Sequence, residues 1–122
     1  DHRYLHSFPT RRSSDLPAIK LKYKLLLSLT NSVGPERIRQ ATRELVKAYH
    51  IGIRSEQLDE VFALIIWNQG IGHFSSEIAQ SSLFKAYRLI KEMEKSGKTH
   101  NEIMAVMTEK FSEKNPETGF NN

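Results

Sequence analysis

Apolar positions between residues 17 and 113 recur mostly at helical spacing, and glycine, proline and capping residues cut them into about five stretches. In the first, from 17 to about 32, Ile19, Leu21, Tyr23 and Leu25 alternate with Lys20, Lys22 and Lys24, which alone reads as a strand. Leu21, Leu25 and Leu29 nevertheless return every fourth residue, leucine and lysine are good helix formers, and no partner strand follows. A helix is therefore predicted. Gly34-Pro35 breaks the chain, with Pro35 placed for the first position of a second helix and Glu36 for its dipole. That helix runs to about residue 50 on an apolar face of Ile38, Ala41, Leu45, Ala48 and Tyr49, and Gly52 stops it.

Ser55 is the expected cap of a third helix, with Glu56, Asp59 and Glu60 near its start. Its apolar residues, Leu58, Val61, Phe62, Leu64, Ile65, Ile66 and Trp67, cover most of the circumference, so it is expected to be the buried central element. Residues 68–72 hold two glycines and read as a connector. A fourth helix should then start at Ser75 or Ser76 and reach 95 or 96, with Ile78, Leu83 or Phe84, Tyr87, Ile90 and Met93 inward and Gly97 closing it. Thr99 and Glu102 form a T-x-x-E capping box ahead of a fifth helix carrying Ile103, Val106, Met107 and Phe111. The expected architecture is all-α, a compact bundle of about five helices with antiparallel neighbours.

The first sixteen residues do not join this pattern. The run FPTRRSSDL within them resembles one translated reading frame of a common sequencing-library adapter, so residues 1–16 are expected to be a non-native, disordered segment without a site. Residues 17–113 then form a single helical domain and 114–122 a flexible polar tail. Setting aside the three arginines and two aspartates of that segment lowers the net charge from +4 to +3. The native N-terminus is expected to be missing, and whether a further helix is lost with it is left open by the sequence.

The chain has no cysteine, which excludes disulfides, thiolate ligands and a cysteine nucleophile and agrees with a reducing compartment. Its longest apolar run, 61–67, is far below the roughly 20 residues of a membrane span. Cytoplasmic location is the default expectation.

Charge changes the picture more than composition does. Residues 17–54 carry eight basic side chains against Glu36 and Glu44, whereas residues 55–122 carry seven basic and ten acidic ones. On the second helix Arg39, Arg43 and Lys47 repeat at fourfold spacing, with His50 a turn further and Arg54 beyond. Such a stripe is a candidate for tracking nucleic-acid phosphates, although a solvated helix face is the commoner account and no aromatic residues are interleaved. A protein partner, or a second copy of the chain, is the alternative, and Trp67, Ile71 and Phe74 around the glycines are its candidate binding residues. Ordinary core packing is the commoner account of those three.

Ser76-Glu77-Ile78-Ala79, followed by a helix ending at Gly97, resembles the helix-turn-helix of winged-helix regulators in outline. Only Gln80 and Ser81 stand where the turn should be, and the Thr99 capping box replaces the first wing strand, so that reading is set aside.

Catalytic constellations are sparse. Ser82-x-x-Lys85 has the spacing of a lysine-activated serine without companion motifs, and Gly70-Ile71-Gly72 lacks the lysine and hydroxyl of a phosphate loop. His50, His73 and His100 lie on separate segments, and the acidic trio 56, 59 and 60 is accounted for by a helix N-terminus. The expectation is a non-enzymatic binding module with no catalytic residues, metal or cofactor. It is regulatory or associated with nucleic acid through its basic half, or else an interaction or oligomerisation module.

Overall fold

The computed structural model describes residues 18–33 and 37–111. The expectations for residues 1–16, for the Gly34-Pro35-Glu36 break and for the tail from 114 lie outside those residues. The described chain is all-helical and compact, with no strand: α1 Leu21–Val33, α2 Ile38–His50, α3 Ser55–Gln69, α4 Ile71–His73 leading into a π-helical turn Phe74–Ile78, α5 Ser82–Lys95 and α6 His100–Phe111. The competing strand reading of 19–25 fails because the Lys20 carbonyl already accepts from the N–H groups of Tyr23 and Lys24, starting helical pairing at once.

Helix α2, not α3, is the hub, packing against α1, α5 and α6. This corrects the expectation of a buried central α3, whose apolar residues exceed what its neighbours cover. Leu58, Val61, Phe62 and Ile65 of α3 are buried, while Leu64 and Trp67 are exposed. On α2 the predicted face is realised, with Ala41, Leu45, Ala48 and Tyr49 buried. Each large aliphatic side chain taken from water in this way contributes about 1.5–3 kcal/mol, and the shared core of Leu29, Leu45, Leu58, Leu83, Ile90 and Met107 holds the helices together. Thr42, also fully buried, is satisfied by donating to the Ile38 carbonyl at 2.7 Å and by lying 3.0 Å from the Ser82 hydroxyl.

Helix ends follow local chemistry. After α2 the N–H groups of Gly52 and Ile53 donate to the carbonyls of Tyr49 and Ala48, closing the last turn. Ser55 is not the cap of α3 but its first residue, and the Gln57 side chain accepts from the Arg54 N–H at 2.9 Å. The capping box before α6 is formed as predicted: the Thr99 N–H donates to Glu102 Oε1 at 3.0 Å and the Glu102 N–H to Thr99 Oγ1 at 3.2 Å.

The segment 68–80 departs most from expectation. Helix α3 continues through Asn68 to Gln69, and only Gly70, at φ 87° and ψ 147°, breaks it. Gly72 lies within the short helix α4. The predicted fourth helix is divided, because the Ala79 N–H donates back to the Phe74 carbonyl in a π-type bond and Ser81 starts a new helix by accepting from the Phe84 N–H.

Candidate functional site

Two surfaces carry the predicted site residues, and the fold treats them differently. On α2, Lys47 and His50 are exposed and Arg39 and Arg43 half-buried, with Arg54 exposed at the start of α3. Arg39 and Arg43 each have interactions of their own. Glu44, between them and Lys47, is driven above the usual carboxylate range by burial, against the pull of Lys47 and Arg43. A partly desolvated acid thus flanks the stripe.

Its far end meets α6. The His50 and His100 rings are stacked with centroids 6.3 Å apart, and His100 also lies 5.0 Å from the ring of Tyr49. Beside them is an open groove of about 450 Å³, lined among others by Ile53, Arg54, Glu56, Glu94 and Lys98. The Tyr49 hydroxyl donates to Glu94 Oε2 at 2.8 Å, and burial first, then that bond, pushes the phenol well above its ordinary range. Groove charges are mixed, two cations against two carboxylates.

The second surface lies at the junction of α3 and α4. Trp67 is 86% exposed, Ile71 67% and Leu64 56%, whereas Phe74 is buried. Phe74 therefore leaves the predicted partner-binding set: its ring meets Phe84 edge-on at 5.2 Å, next to Phe62 and Tyr87. Leu64 joins the set in its place, one helical turn before Trp67. The signal for it was present in the sequence, since apolar residues covering most of a helix must leave some outside when neighbours pack on one side only.

A polar tie joins α3 to α5. The Tyr87 hydroxyl donates to Asp59 Oδ1, and Lys91 Nζ lies 2.9 Å from Asp59 Oδ2. The Tyr87 bond, then Lys91, holds the Asp59 carboxyl below its ordinary value, while burial and Asp59 push Tyr87 up to about 12. From residue 55 to 84 the chain has Glu56, Asp59, Glu60 and Glu77 but no lysine or arginine. The exposed apolar surface therefore sits in an acidic stretch of chain.

Ser82 is engaged with Thr42, and Lys85 is exposed. No group of three His, Cys, Asp or Glu side chains able to hold a metal ion occurs among the described residues. None of the described helices is long and apolar enough to cross a membrane. Compared with protein-family models, with curated proteins and with solved structures, the chain finds no match in any of the three.

Proposed function

We propose that this chain is a helical protein-interaction module whose docking surface is the Leu64, Trp67 and Ile71 face, and that its partner is an amphipathic segment with apolar and basic residues. The carrying observation is Trp67 at 86% exposure, flanked by two other large apolar side chains outside the core. A tryptophan offers up to about 200 Å² of apolar surface, and leaving it in water is costly unless a partner covers it. The charge of the partner follows from the acidic chain around the face. The basic stripe supports nucleic-acid binding less well, because Arg39 and Arg43 have interactions of their own and Glu44 stands among the cations.

Trp67 is the sole tryptophan, so its emission reports on this face alone. Titration with a synthetic helical peptide of leucine and lysine should shift that emission to the blue, and Leu64→Glu with Ile71→Glu should abolish the shift. Emission unchanged by peptide would overturn the reading. So would DNA retention that declines with salt and disappears when Arg39, Arg43 and Lys47 are all changed to Glu, which would assign the function to the basic stripe instead.

A further inference from the structure

A segment of the chemistry that the α3–α4 face calls for is present in the chain itself. Along α1 and the residue pair before it, Ile19, Leu21, Tyr23 and Leu27 are exposed, and the basic residues among them are Lys20, Lys22 and Lys24. No acid occurs from residue 18 to 33. Of α1 only Leu29, Ser32 and Val33 are fully buried, all in its second half, so its first two turns are held on one side only. Lys22 Nζ lies 5.3 Å from the centroid of the Tyr23 ring, keeping a cation over an exposed aromatic. The start of α1 thus presents exposed apolar residues with lysines among them, and the α3–α4 face presents exposed apolar residues with the exposed Glu60 one turn before Leu64.

Resting on the docking reading above, we infer that a second copy of this chain occupies the face, its α1 laid against Leu64, Trp67 and Ile71 with Lys20 and Lys22 toward Glu60. The pairing is reciprocal: each copy gives its α1 and receives the other's, which is how two different patches make a closed twofold dimer. Area favours this arrangement over a single junction. A stable interface takes about 800 Å² from each partner, roughly twice what three apolar side chains offer, and reciprocal use of both surfaces supplies the remainder. Charge complementarity fixes the direction, since two acidic faces or two lysine-rich helices brought together would repel.

The test uses the full chain and two variants at exposed positions, Trp67→Glu and Leu27→Glu, each checked for retained helicity by circular dichroism. Sedimentation across a concentration series should show a dimer for the parent chain, weakened by salt, and a monomer for either variant at the same concentrations. Mixed in equal amounts, the two variants should regain a dimer with one intact junction, at least tenfold weaker than the parent. A parent chain that stays monomeric overturns the inference, and so does a Leu27→Glu variant that dimerises like the parent, because that marks Trp67 packing on Trp67. Monomeric parent chain that still binds the leucine–lysine peptide leaves the docking surface standing with a foreign partner, whereas loss of both removes the surface as well.

Discussion

Asp59 shows how much one side chain does for the fold without belonging to the core. It accepts from the Tyr87 hydroxyl and pairs with Lys91, so it fastens α3 to α5 from the rim. Both members of the ion pair are 41% exposed, so solvent screens most of their attraction and the hydrogen bond from Tyr87 carries the larger share. Asp59→Asn should cost about 1 kcal/mol at neutral pH in urea unfolding. The pH dependence has a defined sign. A carboxyl held below its ordinary value stabilises the fold above about pH 4 and loses that contribution as pH falls through the lowered value, so the deficit of the variant should shrink as the solution is acidified below about pH 4. Tyr87 acts at the other end. Its neutral phenol favours the folded state, and the benefit fades as pH rises through about 12. An Asp59→Asn variant whose deficit stayed constant down to acid pH would contradict this account.

At the scale of elements the two glycines of the connector, indistinguishable in the sequence, have opposite roles. Gly70 sits at φ 87° and ψ 147°, a conformation that costs a residue with a Cβ on the order of 1–3 kcal/mol, whereas Gly72 has ordinary helical backbone inside α4. Neither position has an atom within 4 Å of an added Cβ, so sterics do not blur the comparison. Gly70→Ala should therefore destabilise, while Gly72→Ala should stabilise by about 0.5–1 kcal/mol, both read from thermal and urea melts. Destabilisation of similar size at both would mean that the whole stretch acts as a loop. The same segment marks the limit of what was legible. Periodicity and capping placed the C-terminal ends of α2 and α5 and the start of α6, since Gly52, Gly97 and the Thr99–Glu102 box act through bonds a few residues long, whereas α2 starts at Ile38 rather than at the expected Pro35. The break at Ser81 was not legible, because the apolar positions from Ile78 to Met93 read as one continuous helix and do not announce the π-type turn in which Phe74 and Ile78 are buried. The third helix was legible as apolar over most of its circumference, and so as leaving some residues outside, but which of them stay exposed depends on which neighbours arrive.

For the molecule as a whole, folding and docking draw on different apolar residues, and the pair Trp67 and Phe74, only seven residues apart, separates the two. Phe74 is buried in a ring cluster with Phe84, Phe62 and Tyr87, so its removal leaves a cavity that the surrounding aromatics cannot fill. Trp67 lies outside that cluster and is the most exposed of the large apolar side chains among the described residues. The exposed Lys20 beside the apolar start of α1, and the exposed Glu60 one turn before Leu64, extend the same division, because neither belongs to the core. Phe74→Ala should therefore cost about 3–5 kcal/mol in unfolding free energy, as large aromatic truncations in a core do. Trp67→Gln should stay within about 0.5 kcal/mol of the parent when both are measured dilute enough to be monomeric. At higher concentration the parent alone should gain stability, because association that occurs only in the folded state adds to its apparent value by mass action. A Trp67→Gln variant that lost several kcal/mol even when dilute would make the tryptophan part of the fold and remove the surface from which partner binding is argued.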